Sequence, residues 1–523
     1  MLKYLCLPTL FLILLIACKP KKEKQPAPLA SSETPPNILL ILADDMGFSD
    51  IGCYGSEIAT PNLDRLAANG LQFTRFYNAA RCCPTRASLL TGLYPHQVGM
   101  GGMVSNANQT RPAGAYQGYL RPDSCSTIAE ALKTVGYGTY MSGKWHVGEA
   151  AAYWPKKRGF DKYWGLISGA SSYYEIISNQ PRKRVMVKED QLWKPPTTGF
   201  YMTDAITDYA IEQMDYHLTT KPNQPFLSYV AYTAPHWPLH ALPEDIAKYK
   251  GRYDMGWDSL RQRRYERQIE LQLFDKLPKL APRPSSIPAW ERIENKSEWA
   301  KRMEVYAAMV DCLDQQIGRL IQHLQNTDQI DNTLILFLSD NGGSAENISS
   351  RNLNDTTKLM GEKGSYAAYR EPWAYVSNTP FRQYKAWVHE GGAATPFLAH
   401  YPNGNLPKGE IIHQPAHIID LMPTFLQLAH AKKSPKNLPL KGMDLLSLVH
   451  KQPVKRTLFW EHLGKKAILK GDWKLVAEKG QNWELYNLQS DRGELRNVAE
   501  TEEEQVKKLT TQWTKWANEV GVK

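Results

Sequence analysis

Asn37-Ile38-Leu39-Leu40-Ile41-Leu42-Ala43-Asp44-Asp45-Met46-Gly47 is the stretch that decides the fold. A strand with one wet face alternates apolar and polar residues. An unbroken apolar run such as Ile38 to Ala43 predicts a strand buried on both faces, as in parallel sheets covered by helices. Working outward, Thr60-Pro61 predicts the cap and first residue of a helix. Leu63, Leu66 and Ala67 form its buried stripe and Gly70 closes it. Thr127 to Glu130 reads as a capping box, with Gly136 ending that helix. Pro225 to Tyr232, Thr333 to Leu338 and Thr395 to His400 read as strands. Glu304 to Leu324 and Ile418 to Leu428 read as helices. This alternation predicts a layered α/β domain with a largely parallel or mixed sheet. Beyond about Gln452 the pattern changes to short strand-like pieces (457–460, 466–469, 473–476 and 483–486) and a closing helix near 503–516. That is the pattern of a small α+β subdomain.

The composition fits this reading. The chain has 523 residues, 42% hydrophobic and 22% charged. These proportions exclude a mainly disordered chain, a coiled coil, a collagen and a polytopic membrane protein. The formal net charge is +10, with no long basic run inside the body of the chain. By itself such a balance allows nucleic acid as a partner and fits a small anionic substrate as well; with the motifs below, no nucleic-acid partner is expected.

The N-terminus is expected to be a targeting segment. Residues 5–17 are almost wholly apolar and follow Lys3, and the run is too short to span a bilayer. Its end, Leu15-Ile16-Ala17-Cys18, resembles the lipobox of bacterial lipoproteins. That implies cleavage before Cys18 and lipidation of its thiol. Residues 19–36 are rich in Lys and Pro and read as a disordered tether. The expected organisation is therefore a signal peptide at 1–17, a lipidated tether at 18–36, a catalytic domain at 37–452 and a C-terminal subdomain at 453–523. Localisation would be the bacterial periplasm or outer membrane. Of seven cysteines, five lie beyond this region, an odd and sparse set that makes no disulfide framework. No Cys-x-x-Cys pair suggests structural zinc.

Polar clusters follow the predicted strands. Asp44-Asp45 follows the first, and Gly143-Lys144-Trp145-His146 follows 137–141. Pro235-His236 follows 225–232, and Asp340-Asn341-Gly342-Gly343 follows 333–339. Ligands of open α/β sheets bind beyond the carboxyl ends of strands, so four such clusters are expected to converge. Asp44, Asp45, Asp340 and Asn341 make an all-oxygen set suited to Ca²⁺ or Mg²⁺ rather than zinc. The segment Cys82-Cys83-Pro84-Thr85-Arg86-Ala87-Ser88-Leu89-Leu90-Thr91-Gly92 reads as a short helix opened by a cysteine and ended near Gly92. Arg86 lies one turn on, giving an anion-binding environment beside a nucleophile.

Cys-x-Pro-x-Arg followed by Ala-Ser-Leu-Leu-Thr-Gly resembles the signature of type I sulfatases, whose cysteine is oxidised to Cα-formylglycine. Cys82 aligns with that residue and Cys83 with the variable position. NILLILADDMG (37–47), GKWHVG (143–148), TAPH (233–236), SDNGG (339–343) and KAWVHEGGAATP (385–396) match in the same order. The stretches 249–258 and 471–488 resemble bacterial arylsulfatases. The resemblance implies an alkaline-phosphatase-like sandwich with a large mixed central sheet flanked by helices, plus the small C-terminal α+β subdomain. It implies sulfate monoester hydrolysis through a formylglycine gem-diol and Ca²⁺. Asp44, Asp45, Asp340, Asn341 and the residue at 82 would hold the ion, and Arg86 would steady position 82. Lys144, His146, His236 and Lys385 would surround the sulfate. A sulfated carbohydrate or aryl sulfate is the expected substrate, and a formylglycine-generating enzyme the expected maturation partner. Two alternatives stay open: a phosphonate or phosphate ester hydrolase of the same superfamily, and a glycan-binding lipoprotein whose cysteine is never matured. His96, His240 and His389 read as packing or solvent residues, and His462 as a candidate for the pocket rim.

Overall fold

Ile38 to Ala43 lie in a strand whose seven residues, Asn37–Ala43 (β1), are all buried. Leu39, Ile41 and Ala43 enter one hydrophobic core, and Ile38, Leu40 and Leu42 enter a second on the opposite face. This two-sided burial explains the continuous apolar run. A computed structural model describes residues 35–105, 114–123, 125–177, 184–276, 278–432, 438–449, 454 and 456–522. The expected signal peptide, Cys18, most of the expected tether and the boundary at 452/453 lie outside the described residues.

The other strands, in chain order, are β2 (Leu71–Phe73), β3 (Phe76–Tyr77), β4 (Gly138–Gly143), β5 (Lys162–Leu166), β6 (Met186–Lys188), β7 (Gln191–Trp193) and β8 (Phe226–Ala231). They continue with β9 (Thr333–Ser339), β10 (Phe397–His400), β11 (Glu410–Ile412), β12 (Ala416–His417), β13 (Thr457–His462), β14 (Lys465–Lys470), β15 (Trp473–Ala477) and β16 (Glu484–Asn487). Ten of them form one sheet in the order β11-β2-β10-β9-β1-β8-β4-β5-β6-β7. The centre, from β9 to β5, is parallel. Beyond it β10 pairs antiparallel with β9 and β2, while β6 pairs antiparallel with β5 and β7. The sheet is therefore mixed, and β1 lies near its middle.

Helices cover both faces. The long helix Lys296–Asn326 and the helix Met202–Thr220 pack on one core, while Cys82–Thr91 and Ile128–Lys133 pack on the other. The capping box at Thr127 and Glu130 is formed, and Gly136 has φ 90° beyond the helix end. Gly70 differs from expectation. Helix Pro61–Ala68 has ended before it, and Gly70 is needed because a Cβ there would meet the Ala399 carbonyl oxygen at 2.2 Å.

β13 to β16 form a separate antiparallel sheet. Ile468, Leu475 and Leu485 pack with Leu509 of the helix Glu503–Val520. Leu458, Trp460, Ala467, Leu469 and Val476 join the core shared with the main sheet. The subdomain is thus fused to the large domain through apolar burial. Among the described residues no helix is long and apolar enough to cross a membrane.

Candidate active site

Parallel strands present their carboxyl ends on one edge of the sheet. β1 delivers Asp44 and Asp45 there, β4 delivers Lys144 and His146, β8 delivers His236, and β9 delivers Asp340 and Asn341. Helix Cys82–Thr91 opens at Cys82 beside them and ends at Gly92, whose φ of 67° forms a left-handed cap. The backbone bends sharply where these residues turn inward. Asp45 has φ 66° and His146 has φ 56°, a region costly for a residue with a Cβ. Gly342 allows the 340–343 turn to lie against the segment bearing Lys385, since a Cβ there would meet the Gly391 oxygen at 1.9 Å.

The charges interlock. Lys144 Nζ lies 2.5 Å from Asp44 Oδ2, and Lys385 Nζ lies 2.7 Å from Asp45 Oδ2. Arg86 pairs with Asp340 Oδ2 at 2.9 Å, stands 3.7 Å from Asp44 Oδ1, and donates Nη1–H to the Lys144 carbonyl. Arg86 therefore steadies the carboxylates and the Lys144 backbone, where the resemblance placed it against position 82. Asn341 Nδ2 donates to Asp45 Oδ1 at 2.7 Å. Burial pushes Asp44 well above its ordinary value, with Asp340 and Asp45 adding to the rise, and burial also raises Asp340. Three carboxylates crowd a dry site that also contains two orphaned acceptors. Neither Asp44 Oδ1 nor Asn341 Oδ1 has a hydrogen-bond partner among the described residues. Buried acceptors of this kind, grouped with carboxylates, are the donor set of a hard cation.

On the other side, the sulfur atoms of Cys82 and Cys83 and a ring nitrogen of His146 lie within 4.8 Å of one another. Cys83 Sγ approaches His146 Nε2 at 3.3 Å. The Cys82 thiol is held well below its ordinary value, first by the Cys83 thiol and then by His146 and Lys144, against desolvation. Burial lowers both His146 and His236 to about 3, so both rings are neutral. His236 Nδ1 lies 2.6 Å from the Trp237 carbonyl, which can only accept. The ring proton therefore sits on Nδ1, and the Nε2 lone pair faces Lys385 Nζ at 3.3 Å.

All ten residues expected at the site are thus brought together. His96 lies against Glu461, His240 against the Ser365 carbonyl and His389 against Glu484, and all three are buried. His462 is fully buried and lines no rim. Glu346 and Arg81 were missed. Glu346 lies 3.1 Å from Lys385 and 3.0 Å from Arg81. Arg81 immediately precedes Cys82 and Glu346 lies three residues past the Gly342-Gly343 turn. Their adjacency to the recognised motifs was the available signal.

A mixed sheet carrying this cluster of carboxylates, lysines and histidines at its strand ends defines a hydrolase of the sulfatase family, and the chain belongs to that family. The model described as Sulfatase matches residues 36–431, and one described as N-sulphoglucosamine sulphohydrolase, C-terminal, matches residues 382–520. The chain is 33% identical to an uncharacterized sulfatase of Schizosaccharomyces pombe, over 93% of this chain and 94% of the relative. It is also 33% identical to the arylsulfatase of Klebsiella aerogenes, over 82% and 94% of the two chains. The crystal structure of Ps i-CgsB in complex with k-i-k-neocarrahexaose matches with a TM-score of 0.69 at 28% identity, over 92% of this chain and 93% of that one. The protein is a sulfuric ester hydrolase.

Proposed function

We propose that the chain hydrolyses sulfate monoesters of a carbohydrate, using Cα-formylglycine formed from Cys82 and a Ca²⁺ ion. The observation that carries this reading is the meeting of Asp44, Asp45, Asp340 and Asn341 with Cys82 at the start of its helix. The oligosaccharide bound to Ps i-CgsB supports a sugar substrate. Asp44, Asp45, Asp340 and Asn341 would hold the ion with the residue at 82, and their two orphaned oxygens fit that role. When bound, Ca²⁺ neutralises negative charge on the ester and on the attacking oxygen. A hydrated aldehyde at position 82 supplies one hydroxyl as nucleophile and a second whose deprotonation releases sulfate, which a serine cannot do.

The chain's own residues do the rest. Lys144 and Lys385 bind the sulfate oxygens and orient the ester for in-line attack. Asp340 accepts the proton of the attacking hydroxyl, while Arg86 fixes its carboxylate. His146, neutral and beside position 82, accepts the proton of the second hydroxyl. Lys385 and His236 act as one acid on the departing alcohol. The mobile proton is held at Lys385 Nζ, because His236 turns its Nε2 lone pair toward it.

Maturation requires a formylglycine-generating partner. A lipid at Cys18 would tether the enzyme to a bacterial membrane, in the periplasm or at the outer membrane. The test is sulfate release by protein co-produced with a maturation enzyme, beside Cys82→Ala, on aryl and sugar sulfates. Peptide mass would establish the aldehyde at 82. Release by the wild type alone is expected. An aldehyde-bearing protein that releases no sulfate, or that prefers a phosphorus ester, would overturn the reading.

A further inference from the structure

Glu346 is out of keeping with its surroundings. Sulfate is an anion, yet this carboxylate lies 3.1 Å from Lys385, one of the cations expected to bind it. It is also the least buried carboxylate of the cluster, with 30% of its side chain exposed where Asp44, Asp45 and Asp340 show 2% or less. Its two oxygens are used unequally. Oε2 accepts from Lys385 Nζ, from Trp237 Nε1–H at 2.7 Å and from Ser344 Oγ at 3.3 Å. Among the described residues Oε1 accepts only from Arg81 Nη2, at 3.0 Å. A carboxylate oxygen has room for about two hydrogen bonds, so Oε1 keeps one free direction. Lys385 and Arg81 outweigh the opposing effect of burial and hold Glu346 below its ordinary value, so it remains an acceptor. If Glu346 served only to fix Lys385, Oε2 would suffice. The second contact joins it to Arg81, the residue that precedes Cys82, and places an acceptor beside a guanidinium at the mouth of the site.

We propose that Glu346, together with Arg81, reads a hydroxyl next to the scissile sulfate, so that the site selects sulfate esters of vicinal diols, as a secondary sugar sulfate presents. Geometry selects the neighbouring carbon. Vicinal oxygens stand about one hydrogen bond apart, and Glu346 is one hydrogen bond from the lysine that holds the sulfate. The hydroxyl donates to Oε1 and accepts from Arg81. This inference rests on the sulfate-ester reading above and names the part of the alcohol that the site recognises.

The test needs no knowledge of the sugar. Matured enzyme is assayed on phenyl sulfate, on its 2-hydroxy derivative and on the 3-hydroxy isomer. A hydrogen bond to a charged acceptor predicts that the wild type prefers the 2-hydroxy ester by about ten- to a hundredfold in kcat/KM. The 3-hydroxy isomer should behave like phenyl sulfate. Glu346→Gln should reduce the preference to within about threefold, and Arg81→Ala should reduce it as well. Equal losses on all three esters, with the preference retained, would make Glu346 a positioning residue for Lys385 and overturn the proposal. So would a wild type with no preference. Failure to release sulfate from any of the three, with the aldehyde confirmed, would instead overturn the sulfate-ester reading.

Discussion

Two buried ionic clusters stand within a few residues of each other and are built to opposite ends. The first is the strand-end cluster of Asp44, Asp45 and Asp340 with Lys144, Lys385 and Arg86. The second joins the C-terminal subdomain to the large domain. There Lys474 of β15 lies 2.9 Å from both Glu390 and Glu494, and Arg492 lies 3.1 Å from Glu390. Glu390, Lys474 and Glu494 are wholly buried, as are the carboxylates of the first cluster. The difference lies in the acids. In the second cluster Glu390 is held below its ordinary value, because Lys474 and Arg492 outweigh burial. In the first, Asp44 and Asp340 are raised, because they are buried and three acids crowd one another. Burial alone does not distinguish a structural network from a functional one. The balance of charge does: at the interface the cations hold Glu390 below its ordinary value, whereas at the strand ends Asp44 and Asp340 lie above theirs.

The largest expected effect separates the two clusters by activity. Asp340→Asn should cost at least about a thousandfold in kcat, since it removes the proposed proton acceptor and one charge of the cluster. Its melting temperature in chelator should fall less than that of an interface substitution, because relief of repulsion among three buried acids offsets the lost pair with Arg86. A melting temperature lowered as far as by an interface substitution would break the comparison. Lys474→Met is the opposite case. It leaves Glu390 and Glu494 buried beside each other, so stability should fall by about 3–5 kcal/mol in denaturant unfolding. The subdomain holds Glu390, five residues from Lys385, so sulfatase activity should be lost at lower temperature while kcat near the cold end changes little.

The sequence showed one cluster far better than the other. Strand ends are local: an apolar run followed by Asp-Asp, Pro-His or Asp-Asn announces both the strand and what it carries, and β1, β8 and β9 were legible for that reason. The helix at Cys82 was legible from Pro84, Arg86 and Gly92. The interface cluster couples Glu390 with residues 84 to 104 positions away, a separation that no periodicity marks. Strands β6 and β7, the last two at one end of the sheet, were also unread. They are three residues each, and β7 is largely exposed, so they lack the apolar run that marks β1. Helix Gly256–Glu270 buries Arg261, Arg264 and Gln268, and its polar sequence hid its inward face. Glu346 was missed for a related reason, since a glutamate in a loop reads as solvated until the fold brings Lys385 and Arg81 to it.

Leaving-group dependence sharpens the role of the first cluster. His236→Ala should reduce kcat on alkyl and sugar sulfates by about a hundredfold and on activated aryl sulfates by tenfold or less, because a good leaving group needs little proton transfer. Equal losses on both would remove His236 from the acid pair. Titration gives the clusters opposite signs. Glu390, whose folded pKa lies below 4.5, contributes stability that is present above 4.5 and lost as pH falls toward its lowered value. Asp44, raised above 3.8, favours its protonated form in the fold. In chelator its contribution therefore falls as pH rises from 3.8 through the raised value. Melts of wild type and Asp44→Asn across this range, with chelator, should differ in slope by that term. Parallel curves would show that Asp44 is not under strain.

The smallest expected effect tests how completely the interface is satisfied. Tyr77 donates its hydroxyl to Glu390 Oε2 at 3.1 Å, alongside the pairs from Lys474 and Arg492. Tyr77→Phe removes one neutral donor from a carboxylate that keeps two cations. The ring, edge-on to Trp460 at 5.6 Å between centroids, stays in place. Stability should fall by about 1 kcal/mol, the net worth of a single hydrogen bond, with kcat/KM unchanged. A loss of 3 kcal/mol or more would mean that Glu390 depends on every partner it has. The interface would then be as finely poised as the site, and the contrast between the two clusters would fail.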